Sequence, residues 1–326
     1  MDLFIHPDFY QIYSRYPIRL IDIGAAGGIQ EHWKPMARFI EVVGFEPNEE
    51  AYKKLCETAP SNIMYINKGL YDKKTTVKLH ITRTPTNSSI FYPNKYFFDN
   101  FPRPERYDVV NTENIDVDTL DSQLPKSYIE NNDFIKIDTQ GSELSILKGA
   151  EKTLKKCFGL EVEVEFCAMY QNQPLFGEVD SFLRSHGFQI FGLQRTTWKR
   201  NECIGEGQLI CGNALYLESL DSLMVMLNTI KGEELKVAKT LKAVSICLLY
   251  KRYDFAMEIV ETMRNLFTSQ QMDRFFLIFR QLKPDRLPNN LRDKVLLKTR
   301  KLNHKIERLI NSVTGDYRWR IGDKEL

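Results

Sequence analysis

Residues 20–28 read Leu20-Ile21-Asp22-Ile23-Gly24-Ala25-Ala26-Gly27-Gly28, and this stretch decides how the rest of the chain is read. Residues 19–23 are mostly apolar, so a strand is expected there, ending in a glycine turn. Glycine lets a backbone turn tightly and approach a ligand closely. The next apolar run, residues 40–45, closes on Glu46-Pro47-Asn48. In an alternating α/β sheet, Gly24 and Glu46 fall at the carboxyl ends of neighbouring strands, where ligands bind. A carboxylate about 20 residues past the turn can take both hydroxyls of a ribose.

The same alternation continues outward. Asn48 can cap a helix whose Glu49 and Glu50 suit the positive end of its dipole. Residues 63–66 form a third short run, followed by Asn67-Lys68-Gly69-Leu70, where Gly69 and Leu70 suit the adenosine end of a ligand pocket and, at least as well, an ordinary β-turn. Residues 134–138 form another strand, ending in Asp138. Gly141 and Ser142 then open a helix with Leu144, Leu147, Ala150 and Leu154 inward. Residues 160–166 follow as a strand, 176–185 as a helix, and 188–193 and 208–217 as an antiparallel pair. Strands alternating with helices give a Rossmann-like α/β fold on a mostly parallel, doubly wound sheet. Between 75 and 120 the pattern breaks into an inserted strand pair carrying a long loop rich in Asn, Pro and aromatics. Loops of that length inside a compact domain are usually functional. After Leu220 the periodicity is helical throughout. The expected division is a ligand-binding domain at 1–219 and an all-helical domain at 220–326.

Composition narrows the partners. The chain has 326 residues, 43% hydrophobic and 27% charged, which is ordinary for a globular protein. Its 45 basic and 43 acidic residues leave a net charge of +2, giving no general reason to expect nucleic acid. No basic segment precedes an apolar stretch at the N-terminus, and no apolar run is long enough to span a bilayer. The six cysteines form no C-x-x-C pair, which reads as idle thiols in a reducing cytoplasm. Residues 291–308 hold seven basic side chains against two acidic ones. A solvated helix face is the favoured reading; contact with an anionic glycan or a membrane surface is the other. Homo-oligomerisation through the helical part is a further expectation.

Two cofactors share the ribose contact. A dinucleotide's pyrophosphate favours G-x-G-x-x-G, but here Ala26 and Ile29 stand where the second and third glycines belong. Asp22 also places negative charge beside the turn. S-adenosylmethionine has no phosphate and carries a sulfonium and an ammonium, so an acid there attracts it. The cofactor candidates are therefore Asp22, Gly24, Ala25, Gly27, Glu46, Pro47, Gly69, Leu70 and Asp138. Asp138 falls at the sheet rim near the transferring methyl. Glu143 lies in a first helical turn, where a helix-end role and a catalytic one weigh equally. Glu161, Glu163 and Glu165 alternate along one strand face, which suits a solvated edge strand. It also suits an acid pair in which Asp138 and Glu163 or Glu165 activate a hydroxyl. Carboxylates could also hold a divalent ion, but proton abstraction or positioning without a metal is the favoured reading, and no metal ligand is assigned. His32, just past the turn, is a minor candidate base.

With these motifs in hand, residues 18–218 resemble the FkbM family of S-adenosylmethionine-dependent methyltransferases. "LIDIGAAGG" looks like its first cofactor motif and "GFEPN" like its ribose motif. "VDTLD", "FIKIDTQGSELSILKGA" and "EVEF…MYQNQPLFGEVDSFLRSHGF" follow in the family's order, with Glu163 on the family's acid and Glu165 at a variable place. The resemblance implies a seven-stranded class I methyltransferase fold. It also implies O-methylation of a sugar, glycan or natural-product hydroxyl on a small-molecule or glycan acceptor. The helical segment lies outside it. Two competitors stand: an NAD(P)-dependent oxidoreductase, and a non-catalytic scaffold that kept the fold.

Overall fold

The computed structural model describes residues 7–201, 204–282 and 318–320. The strands are β1 (Ile18–Ile23), β2 (Ile40–Phe45), β3 (Ile63–Ile66), β4 (Gly69–Leu70), β5 (Thr75–Thr82), β6 (Val109–Asp118), β7 (Phe134–Ile137), β8 (Gly159–Glu165), β9 (Phe188–Trp198), β10 (Gln208–Glu218) and β11 (Arg318–Arg320). The helices are α1 (Pro7–Arg15), α2 (Glu49–Thr58), α3 (Lys95–Phe98), α4 (Leu120–Gln123), α5 (Lys126–Asn131), α6 (Glu143–Lys148), α7 (Glu151–Leu154), α8 (Phe176–Ser185), α9 (Leu220–Thr229), α10 (Glu233–Leu249), α11 (Tyr253–Thr262) and α12 (Ser269–Leu282).

The main sheet runs β3-β2-β1-β7-β8-β10-β9, with β11 added beyond β9. The first five strands are parallel. β10 then runs antiparallel to both β8 and β9. This is the expected class I arrangement of seven strands, with one short antiparallel strand beyond it. The inserted strand pair is present as β5 and β6, which with β4 make a separate three-stranded sheet over the cavity described below.

Alternation along the strands divides the core. Ile21, Ile23, Ile135, Ile137, Val162 and Val164 face α6–α8. Ile18, Leu20, Ile40, Phe134, Leu215 and Leu217 face the opposite side. On that side the β1–β2 connection contains only 3₁₀ turns, Ala25–Gly27 and Glu31–Met36, in place of a full crossover helix. Helices from beyond Leu220 fill the space: Leu241, Val244, Phe255, Ile259 and Phe275 join the same cluster. α1 joins it too, with the Tyr13 hydroxyl 2.6 Å from Ser245 Oγ. The change at residue 219 is thus a change of secondary structure within one shared core. Below the sheet, Lys239 and Lys242 of α10 close on Asp133 at 2.6 and 2.9 Å, all three buried.

The helix expected over 143–154 is two pieces, α6 and α7, parted at Gly149. A Cβ there would collide with the Tyr71 carbonyl, so the chain passes tightly at that point. The basic stretch 291–308 and the helix expected at 290–310 lie outside the described residues. Among the described residues no helix is long and apolar enough to cross a membrane.

Candidate functional site

A cavity of about 490 Å³ opens at the carboxyl ends of β2, β1 and β7, beneath the insertion. The sequence-predicted Gly24, Gly27, Glu46, Pro47, Gly69, Leu70 and Asp138 all line it. Gly24 has φ +76°, a left-handed conformation, and a Cβ there would strike the Asp138 carbonyl. Only glycine serves at that corner, so the turn and the Asp138 strand end approach each other through it. Ala25 is not on the wall; it is buried behind the turn, and Ala26 lines the cavity instead.

Glu46 is buried, and its Oε1 accepts from the Asn48 backbone N–H at 2.8 Å. Burial raises its pKa, offset in part by the Asn48 and Ala26 amides. Its remaining acceptor capacity suits a ribose diol. The insertion roofs this end with Leu79, Ile81, Ile115 and Val117, an apolar surface fitting an adenine.

Asp22 is buried rather than exposed to the cavity. It belongs to a row of cross-strand neighbours, Asp22–Lys136–Glu161, on three adjacent strands. Lys136 Nζ lies 3.3 Å from Asp22, 3.0 Å from the Gly24 carbonyl oxygen and 3.8 Å from Asp138. Burial raises the Asp22 pKa to about 6, against the Lys136 charge, which lowers it. Burial works against the lysine as well, but Asp22 and Asp138 outweigh it and leave its pKa raised. The negative charge read from the sequence beside the turn is therefore paired internally. Lys136 was missed because strand register alone brings it to Asp22.

The Methyltransferase FkbM domain family matches residues 22–190, more than half of the chain. The chain belongs to the FkbM methyltransferase family. It is a methyltransferase that uses S-adenosylmethionine, and the dinucleotide and scaffold readings fall with that assignment. No curated protein matches the chain. Among solved structures it is similar to a precorrin-6y C5,15-methyltransferase from Geobacter metallireducens, with 12% identity over 64% of this chain and 84% of that one, TM-score 0.34. It is also similar to the magnesium protoporphyrin IX methyltransferase of Synechocystis with bound S-adenosylmethionine, with 12% identity over 65% and 76%, TM-score 0.34.

Within the FkbM domain the acids divide by environment. Asp138 sits on the cavity rim with its side chain 40% exposed. Gln140 Nε2 forks to Asp138 Oδ1 at 3.2 Å and to Glu163 Oε2 at 2.6 Å. Glu163 stands behind this amide rather than on the wall. Burial, then repulsion from Asp138, Glu165 and Glu143, raises its pKa well above the ordinary value. Gln140 was also missed. It is a non-glycine residue at φ +58°, and its conformation is held by Ser89 Oγ donating to its carbonyl and by Tyr170 O–H donating to its Oε1. Strained backbone of this kind clusters at functional sites.

Glu143 is buried at the first position of α6. It is 2% exposed, and Oε1 accepts from the Thr139 N–H at 2.8 Å and the Thr139 hydroxyl at 3.0 Å, closing the turn before α6. Glu143, Glu163 and Glu165 each offer an oxygen within 4.8 Å of the others. β8 is not a solvated edge strand, because β7 and β10 flank it. His32 does not line the cavity. Burial lowers its pKa to about 4, and its ring packs 4.7 Å from that of Tyr250. The aromatic loop is mostly core: Phe98, Phe101 and Tyr107 pack with Met169 and Tyr170, leaving Tyr92 and Tyr96 outside.

Proposed function

We propose that the protein methylates a hydroxyl of a sugar, glycan or natural-product acceptor, with Asp138 receiving the proton. The observation that carries this is the Asp138–Gln140–Glu163 arrangement at the rim of the cofactor cavity. The acceptor oxygen attacks the methyl carbon in line with the sulfur. The C–O bond forms as the C–S bond breaks, its electron pair leaves on sulfur as a neutral thioether, and the hydroxyl proton passes to the Asp138 carboxylate. Alignment supplies most of the acceleration. A sugar hydroxyl is a poor nucleophile, so a carboxylate at the methyl end is worth about 10²–10⁴ in rate. Gln140 and the Glu163 behind it hold Asp138 in its orientation. Glu163 acts through the amide rather than on the acceptor, and Glu143 fixes the turn that carries both. Tyr92 and Tyr96 on the insertion offer flat apolar surface to a sugar ring.

The cofactor-binding set we assign is Gly24, Gly27, Glu46, Pro47, Gly69, Leu70 and Asp138, with Asp22 acting from below through Lys136. A boundary at 219 separates the catalytic sheet from helices that complete its core. Balanced charge supports a non-nucleic-acid acceptor, and scattered thiols support a cytoplasmic setting. Mass spectrometry of a hydroxylated acceptor panel incubated with S-adenosylmethionine tests the reading. Methyl gain on oxygen is expected, and Asp138→Asn should lower turnover far more than S-adenosylhomocysteine affinity. Methylation of nitrogen or carbon only would overturn it.

A further inference from the structure

Two segments distant in sequence close on Gln140. The insertion loop between β5 and β6 lines the cofactor cavity with Pro85, Thr86, Ser88, Ser89 and Ile90. It is fastened to the connection that follows β8. The Asn94 N–H donates to the Met169 carbonyl and the Gln171 N–H to the Tyr92 carbonyl, both at 2.8 Å. Tyr170 belongs to that connection and is fully buried, with Phe98 and Tyr107 of the insertion edge-on to its ring at 6.2 and 6.5 Å. Its hydroxyl lies 2.8 Å from the Asn87 carbonyl oxygen and 3.1 Å from Gln140 Oε1.

A phenol has one proton to donate, so these two acceptors share it. One buried hydroxyl thereby ties the insertion to Gln140. Ser89 Oγ makes a second tie, donating to the Gln140 carbonyl at 2.6 Å. Gln140 depends on such ties. Its left-handed backbone, φ +58°, persists only where the surroundings over-determine it. Its amide turns Nε2 toward Asp138 and Glu163, which leaves Oε1 to find a donor elsewhere, and Tyr170 is that donor. Without the hydroxyl, the oxygen of a half-buried amide loses its partner. Rotation of the side chain into the cavity relieves that loss and takes Nε2 off Asp138. We propose that Tyr170 is a positioning residue that couples the seating of the insertion to the orientation of Asp138, through Gln140. An acceptor hydroxyl then meets an oriented carboxylate only when the insertion is seated over the cofactor cavity. The inference rests on Asp138 as the receiver of the proton.

Tyr170→Phe keeps the ring and removes the hydroxyl. Hydrogen-exchange mass spectrometry of the full chain with S-adenosylhomocysteine should show faster exchange in residues 85–92 and in residues 139–143 together, with β1 and β2 unchanged. Faster exchange in 85–92 alone, or in neither, overturns the coupling. The second readout is turnover of a hydroxyl acceptor from the panel above. Tyr170→Phe should lower kcat about tenfold, the loss of roughly one hydrogen bond, with acceptor KM and S-adenosylhomocysteine affinity unchanged. Added to Gln140→Ala, it should cost nothing further. Losses that multiply in the double variant overturn the route through Gln140. Normal turnover in Asp138→Asn overturns the base assignment beneath the proposal. The exchange pattern does not depend on that assignment, so the two failures are told apart.

Discussion

The two faces of the sheet are covered in opposite ways. One is covered by α6–α8, each lying between the strands it joins. The other waits for α9–α12, which enter after the last long strand is complete, and for α1, which precedes the first. The local face is built from crossovers whose periodicity announces itself. The distant face depends on contacts such as Tyr13–Ser245 and Asp133–Lys239, more than a hundred residues apart. Both sides of a sheet must be buried in a doubly wound fold. A helical segment that looks appended can therefore be structural, and here it fills the room left by a β1–β2 connection reduced to 3₁₀ turns.

Ending the chain at residue 219 is the harshest way to break this comparison. It bares Ile18, Leu20, Phe134 and Leu217, and the product should show no cooperative unfolding by circular dichroism. A folded, cofactor-binding fragment would mean that the second face covers itself otherwise. Next in size is Asp133→Ala, which strands two buried lysines. Breaking such a group costs about 3–5 kcal/mol, read from denaturant unfolding. Burial raises the Asp133 carboxyl, but Lys239 and Lys242 outweigh it and leave its pKa below the ordinary value. Its contribution is accordingly full above the usual carboxylate range and fades as pH falls.

Leu147→Ala and Leu241→Ala sharpen the comparison, one on each face. Both side chains are fully buried, and each truncation should cost about 2–5 kcal/mol. A cost for Leu241→Ala far below that of Leu147→Ala would return the helices to an appendage. Smaller still is a pH effect. Burial and neighbouring acids raise Glu165 well above its ordinary value, so the folded chain keeps a proton that the unfolded chain gives up. Stability therefore falls as pH rises from the ordinary carboxylate range toward the raised one. Glu165→Gln should flatten that fall in thermal melts across pH 4 to 8 (roughly the span between ordinary carboxylate values and neutrality). Least of all, Glu49→Ala on exposed α2 should leave the melting temperature unchanged.

Much of the site was legible in the sequence. Gly24, Glu46 and Asp138 declare themselves because each ends an apolar run, and strand ends meet at one rim. Residues whose roles arise from register or from reach across strands were silent. Lys136 reads as one polar residue in an apolar strand until Asp22 is set beside it. Gln30 and Gln140 carry no sequence signal at all; their partners Glu161, Glu163 and Tyr170 arrive from far along the chain. The alternation Glu161, Glu163, Glu165 suggested solvent because period two reports a two-faced strand without saying what covers the polar face. Here that face holds Gln30, Gln140 and Tyr250, with Glu161 and Glu165 buried and Glu163 half-buried.

The placement of α10 also sets a timetable for synthesis. A ribosome delivers seven strands of the main sheet, β1–β3 and β7–β10, with their glycine corner and buried Glu46, before it has made α10. Until then one apolar side of the nascent chain is open, and chains with such surfaces depend on chaperones to stay single. A chain cut before α10 therefore carries its cofactor motifs on a sheet with one face bare.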